Sequence, residues 1–290
     1  MADQAESDPP IDPRGADGQT ENAATDARLD ATLAARGLAR SRTHAAHLIT
    51  DGLVTVDGRG VVKPSFRVSV SSTVEVAPSD HYVSRAAGKL IAALDGFSIP
   101  VAGRVALDVG ASTGGFSQVL VERGIGTVIA LDVGHGQLAP TVRSDPHVVV
   151  LEGVNARNLT RDALRELSGV AVVPDLVVAD LSFISLITVL PALRASVDDR
   201  ADFVLLVKPQ FEVGRERIRE GVVRDAGLRA DAVTGVLWAG WDLGLRTAGV
   251  LPSPVIGSGG NHEYLVWMTS DGGSDPSQWS DEVIAMAKSD

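Results

Sequence analysis

The sequence predicts an α/β fold, a doubly wound parallel sheet preceded by a small α+β module. Three observations predict it. Beyond Ala102, short apolar runs rich in β-branched residues at 104–109, 128–132, 148–151, 176–180 and 203–207 alternate with helical patterns, as parallel strands joined by helices do. The first run ends in an acid and turns through glycines straight into a helix, in LDVGASTGGF at 107–116. Residues 27–70 switch from helical to strand periodicity and are basic within an acidic chain.

A chain of 290 residues, 44% hydrophobic and 22% charged, can bury a full core and leave residues for a second unit. Residues 1–25 are rich in Asp, Ala, Pro and Gly with almost no large apolar side chains, so a disordered acidic tail is expected there. Within 26–73, Leu29 and Leu33 mark a first helix that turns near Leu38. Ser41 caps a second helix carrying Ala45, Ala46, Leu48 and Ile49, and Gly52 stops it. VTVDG then alternates as a strand into a hairpin turn, where Asp57-Gly58 supplies the positive φ. Residues 74–85 read as a linker. In 86–270 the parallel strands are followed by a helix at 228–241 and by strands at 246–251 and 264–269 that close the sheet at one edge. Residues 271–290 read as a C-terminal tail.

The formal charge of −11 is unevenly spread. Arg28, Arg36, Arg40, Arg42, Arg59, Lys63 and Arg67 outnumber Asp30, Asp51 and Asp57, a local footprint for phosphate inside an acidic protein. The absence of cysteine excludes disulfides, Cys-ligated zinc and thiolate catalysis. No apolar segment follows a basic start, and the longest apolar stretch, 181–193, is too short to span a bilayer. A soluble cytoplasmic protein, monomeric by default, is the expectation.

Gly110, Gly114 and Gly115 let the backbone bend sharply and approach a ligand. Ala111 and Ser112 break the dinucleotide spacing, and no Walker lysine follows, which points away from NAD and nucleoside triphosphates. Asp108 closes the first strand. Asp132 closes the second, where an acid can accept hydrogen bonds from ribose hydroxyls. Asn155, after the third strand, is placed to meet an adenine edge. Asp180 and Lys208 each end a strongly apolar strand, where an unpaired charge is disfavoured. With Lys89 in SRAAGKL and Glu263 in GNHEYLVW they make a set of four that could neutralise one another.

The glycine turn after an Asp-bearing strand resembles motif I of methyltransferases that use S-adenosyl-L-methionine. That resemblance makes Asp108, Gly110, Ala111, Ser112, Gly114, Gly115, Asp132 and Asn155 the expected cofactor contacts. The 26–73 module resembles the alpha-L RNA-binding motif at Arg28-Leu29-Asp30, Arg36-Gly37, Ser41-Arg42, Ala45, Ile49, Gly52 and Lys63-Pro64. It implies that Arg36, Arg40, Arg42 and Lys63 lie on RNA. The order Lys89, Asp180, Lys208, Glu263 resembles the catalytic tetrad of FtsJ-like ribose 2'-O-methyltransferases. The whole chain after the tail is similar to the TlyA, or hemolysin A, family, whose members methylate ribosomal RNA at ribose 2'-hydroxyls. RGLARSR, LDVGASTGGF, ALDVGHGQL, VVADLSFISL, LVKPQFEVG and GNHEYLVW carry that similarity. Ala86-Ala87 and DHYVSR depart from the family's usual connector, which bears on linker geometry more than on chemistry.

The resemblance implies a Rossmann-like methyltransferase domain in which Lys208 orients a 2'-hydroxyl. It would either take the proton as a neutral amine or stabilise the oxyanion as an ammonium. Asp180 would hold that ammonium, while Lys89 and Glu263 position the ribose and the second lysine. Structured ribosomal RNA, free or in assembled subunits, is the implied partner. Two other classes remain at this stage: a membrane-lytic haemolysin, opposed by the absence of a spanning segment, and an inert RNA-binding assembly factor. Methylation of a base is a further rival, opposed by ADLSF where base-directed enzymes carry an Asn/Asp-Pro-Pro-aromatic motif.

Overall fold

The computed structural model describes residues 27–39, 41–50, 52–76, 81–214 and 221–289. The expected acidic tail and Arg40 lie outside them. The N-terminal module holds β1 (Ala27–Arg28), α1 (Leu29–Ala35), α2 (Arg42–Thr50), β2 (Val54–Val56), β3 (Arg59–Gly60), β4 (Arg67–Val68) and β5 (Val74–Val76). Leu29 and Leu33 of α1 meet Ala45, Leu48 and Ile49 of α2 over the buried Val54, Val56 and Val74. Asp57 and Gly58 both take positive φ, 50° and 76°, and Val56 pairs with Arg59 across this turn. That is the hairpin geometry the Asp-Gly pair favours. Val74–Val76, read from sequence as the start of a linker, instead pairs with β2 and completes a three-stranded sheet, because alternate valines give it one apolar face.

The larger domain contains α3 (Ala86–Gly96), β6 (Val105–Val109), α4 (Gly115–Glu122), β7 (Thr127–Asp132), α5 (Pro140–Arg143), β8 (Val148–Glu152) and α6 (Arg161–Ser168). It continues with β9 (Leu176–Ala179), α7 (Leu186–Ser196), β10 (Asp202–Val207), α8 (Pro209–Glu212), α9 (Ala226–Asp242), β11 (Arg246–Pro252), β12 (Tyr264–Thr269) and α10 (Ser280–Lys288). One sheet runs β11-β12-β10-β9-β6-β7-β8. Its β10, β9, β6, β7 and β8 are parallel and the last two strands close it at one edge, as the pattern predicted; β12 joins β10 antiparallel, with β11 outermost.

The sheet is covered on both faces, so successive strand residues feed different cores. Leu107, Ile129, Val177 and Leu205 pack with α7, α9 and α10, whereas Ala106, Val128, Val178 and Leu206 pack with α3 and α4. Residues 271–289, read from sequence as a tail, continue the fold through a short turn at Pro276–Trp279 into α10. Val283 and Ala287 are buried, and Arg229 of α9 donates to the carbonyl of Ala287 at the end of α10. Two small buried positions are too few to stand out as periodicity in a chain end.

The connector is fastened to both units. Arg85 donates to the Thr50 carbonyl at 2.7 Å, tying the start of α3 to the end of α2. Gln118 of α4 accepts from the Val83 amide at 2.9 Å and donates to the His81 carbonyl at 2.6 Å.

Candidate active site

The site forms at the carboxyl ends of β6, β9 and β10, where the sheet order reverses between β6 and β9. At Gly110 φ is +83°, and a Cβ there would sit 2.9 Å from the Asp180 carbonyl oxygen. Glycine therefore lets the β6 turn pass directly under the β9 turn. Gly114 opens α4 with φ +95°, and the Cβ it lacks would lie 2.9 Å from Leu138 and Val142. Ser112, between them, holds the left-handed conformation at φ +48° without being glycine. Its amide donates to Asp132 at 2.8 Å, and the other oxygen of Asp132 accepts from Gly134 at 2.7 Å. Asp132 thus braces the glycine loop against the turn after β7.

Asp108 lies beneath this loop, 1% exposed. One carboxyl oxygen accepts from the Ser117 hydroxyl at 2.6 Å; the other has no partner among the described residues. Burial pushes its carboxyl up to about 7, helped by the charges of Asp180 and Asp132 and opposed by Ser117. The native state therefore keeps a proton that the unfolded chain releases near 3.8, so stability declines as pH rises from about 4 through about 7. Asp108→Asn removes that slope. Thermal melts from pH 5 to 8 are expected to show the variant gaining on the wild type as pH increases, by ~1.4 kcal/mol per unit of pKa separation as an upper scale. Parallel pH profiles would refute this account of Asp108.

The four charges that the sequence singled out converge although Lys89 and Glu263 are 174 positions apart. Lys89 Nζ lies 2.6 Å from Glu263 Oε2 and 3.8 Å from Asp180 Oδ2. Lys208 Nζ lies 2.5 Å from Asp180 Oδ1 and donates to the Ser182 hydroxyl at 3.0 Å. The charges alternate along the row Glu263, Lys89, Asp180, Lys208, so each inner member is paired on both sides. Lys89, Lys208 and Glu263 are buried. Local structure aims them: Lys208 is extended at the end of β10 and Pro209 fixes the start of α8. Asn261, also buried, accepts from Val223 and donates to Gly221, which pins the turn before Glu263. A Cβ on Gly257 would collide with Glu263 Oε1.

A cavity of about 250 Å³ joins the glycine loop to this row, lined by Gly110, Ser112 and Gly115 on one side and Lys89, Asp180 and Lys208 on the other. Its polar lining and the carboxylates of Asp180 and Glu263 suit a cationic cofactor. Ala111 also lines it, whereas Asp108, Gly114, Asp132 and Asn155 do not. The Asn155 side-chain oxygen accepts from the Arg157 amide at 3.0 Å and caps the short turn at Ala156–Asn158.

Two residues of the loop after β9 were not singled out in the sequence. Ser182 completes the contacts of Lys208, and Phe183, next to it, is 92% exposed at φ +65°. Phe183 stacks loosely on Phe211, their ring centres 5.4 Å apart. The only sequence sign was an aromatic residue three places beyond the acid that ends an apolar strand. In the N-terminal module, Arg36 donates to the carbonyls of Ser72 and Val70, Arg42 pairs with Asp30 at 3.2 Å, and Lys63 is exposed. The Arg28 hydrogen bond leads the contacts that hold the buried Asp30 carboxyl at about 2.

Comparison with known proteins agrees with this architecture. Residues 82–270 match the FtsJ-like methyltransferase family and residues 27–74 match the S4 domain. The 16S/23S rRNA (cytidine-2'-O)-methyltransferase TlyA of Mycobacterium tuberculosis is 53% identical over 245 residues, covering 83% of this chain and 89% of the relative. Hemolysin A of Brachyspira hyodysenteriae is 35% identical, covering 82% of this chain and 98% of the relative. A solved structure from Streptococcus thermophilus that carries the hemolysin label superposes with a TM-score of 0.70 at 33% identity, covering 92% of this chain and 97% of that one. Among the described residues no helix is long and apolar enough to cross a membrane. By sequence and domain content, the chain belongs to the TlyA family of FtsJ-like methyltransferases.

Proposed function

We propose that this methyltransferase transfers a methyl group from S-adenosyl-L-methionine to a ribose 2'-hydroxyl of ribosomal RNA. The row Glu263–Lys89–Asp180–Lys208 opening onto a cavity bounded by the glycine loop carries the reading. S-adenosyl-L-methionine, when bound, supplies an electrophilic methyl on a sulfonium. Gly110, Ala111, Ser112 and Gly115 would hold it along the loop, with Gly114 shaping the turn and Asp108 and Asp132 bracing it. Asn155 stands further out, its oxygen engaged in the cap, leaving its amide N–H groups for an adenine edge.

Lys208 acts as an ammonium with three donors. It pairs with Asp180 and donates to Ser182, and from the cavity wall it holds the 2'-oxygen as charge develops there, the hydroxyl proton leaving to solvent as the methyl is transferred. Lys89, held between Glu263 and Asp180, keeps Asp180 aligned and adds positive potential beside the acceptor. A 2'-hydroxyl acceptor selects RNA. The N-terminal module supplies phosphate contacts, through Lys63 and the exposed faces of Arg36 and Arg42, with Arg40 outside the described residues. The relative's cytidine specificity and use of both subunits' RNA fit this reading.

Phe183 supports a target presented as an unstacked nucleotide. A phenylalanine at φ +65° is strained by roughly 1–3 kcal/mol, and its exposed ring recovers little of this by burial. On the loop that carries Ser182, that ring offers a stacking face to a base. Phe183→Ala is expected to lower kcat/KM for RNA by about tenfold, within the ~1–3 kcal/mol range of base stacking, while leaving cofactor affinity unchanged. Equal RNA kinetics for the two proteins would remove Phe183 from the substrate surface. Incubation of ribosomal subunits with labelled S-adenosyl-L-methionine, nuclease digestion and nucleoside analysis tests the whole proposal. A 2'-O-methylated nucleoside is expected; label confined to a base would overturn it.

A further inference from the structure

Two segments carry the acceptor side of the cavity, and they are fastened by a residue outside its lining. One is the loop from Asp180 to Leu186, which holds Ser182 and Phe183; the other is 208–212, which holds Lys208 and Phe211. Glu212 ends α8 and reaches across to the start of α7. Its Oε2 accepts from the Ser185 hydroxyl at 2.5 Å and its Oε1 from the Leu186 amide at 2.8 Å. Ser185 is the N-cap of α7, and its oxygen accepts from Ile187 at 3.1 Å. A carboxylate from a distant segment therefore satisfies the first turn of α7, where a negative charge is favoured.

We propose that Glu212 is a positioning residue for methyl transfer: by clasping Ser185 and Leu186 it fixes the loop that sets Ser182 and Phe183 against Lys208. The inference rests on the 2'-hydroxyl reading above. Lys208 touches this loop at Asp180 and at Ser182, so a shift of the loop moves both contacts that orient its ammonium. The Phe183–Phe211 contact alone is a poor substitute, because Phe183 is almost wholly exposed. Burial also pushes the Glu212 carboxyl upward against the hydrogen bonds from Ser185, Leu186 and Ile187, so the interior position is held by those donors.

The test compares full-length wild type, Glu212→Ala, Glu212→Gln and Ser185→Ala on ribosomal subunits with labelled S-adenosyl-L-methionine, reading kcat, cofactor KM and Tm. Misplacement of a catalytic group predicts that kcat of Glu212→Ala falls roughly 10- to 100-fold, with cofactor KM within about twofold of wild type. Glu212→Gln is expected to return to within about threefold, because its amide can accept from Leu186 and donate to the Ser185 oxygen. Ser185→Ala loses one of the clasp's donors and is expected to lose about three- to tenfold in kcat. It remains informative if Glu212→Ala does not fold. A lowered Tm with wild-type kcat in Glu212→Ala or Ser185→Ala assigns Glu212 a merely structural role and overturns the proposal. So does a Gln variant as slow as the Ala variant. Wild-type protein that leaves ribose unmodified defeats the underlying reading instead, whatever the variants do.

Discussion

Purified Lys208→Ala is expected to methylate ribosomal RNA at least about 10²-fold more slowly than the wild type, the scale of positioned proton-handling and oxyanion-stabilising groups. It is expected to do so without unfolding. Lys208 meets Asp180 at 2.5 Å and Ser182 at 3.0 Å, and after truncation Asp180 still has Lys89 at 3.8 Å, so the half-buried carboxylate is not abandoned. Asp180→Ala is expected to be at least as slow, because Asp180 touches both lysines and its loss leaves two like charges facing each other. Single-turnover measurements with labelled S-adenosyl-L-methionine, paired with circular dichroism melts, separate chemistry from folding. Methylation by a folded Lys208→Ala at the wild-type rate would remove Lys208 from the reaction and, with it, the donor assigned to the 2'-oxygen.

The parts of this site that could be read from sequence are those where a local rule is broken. Asp180 and Lys208 follow Ala179 and Val207, buried ends of apolar strands, and a charge in that place needs a partner or a task. The glycine loop was legible for the same reason: Gly110 and Gly114 adopt conformations that side chains rarely take, and the sequence shows it. The parallel strands themselves followed from the β-branched runs.

What escaped was set by long-range geometry. Glu212 looks like one of many surface acids until α8 brings it to the start of α7, 26 positions away from Leu186. Phe183 has no periodicity to mark it as exposed, since its exposure comes from one left-handed residue in a loop. Asp132 and Asn155 kept their expected places at strand ends. Their side-chain oxygens, however, turn to the backbone of Ser112, Gly134 and Arg157, a choice between local partners that composition and spacing do not encode.

Stability and chemistry are expected to separate at the other end of the row. Glu263→Ala strands the Lys89 ammonium, whose side chain is 4% exposed and which then has, among the described residues, only the Asp180 carboxylate at 3.8 Å. Removing one partner of a buried pair typically costs about 3–5 kcal/mol, and the distant Asp180 places this case near the lower figure. Chemical denaturation is expected to show a lowered midpoint with an unchanged slope. Replacing both partners by apolar residues of similar volume, as in Lys89→Met with Glu263→Leu, removes the uncompensated charge and is expected to regain wild-type stability to within ~1 kcal/mol. Gly257, which makes room for Glu263 Oε1, leaves space for the shorter leucine. The double variant is nevertheless expected to stay inactive, because Asp180 loses the cation that aligns it and the acceptor side loses half of its positive potential. A stable double variant that still methylates ribose would show that Lys89 and Glu263 serve only to fill the interior, and that the chemistry belongs to Asp180 and Lys208 alone.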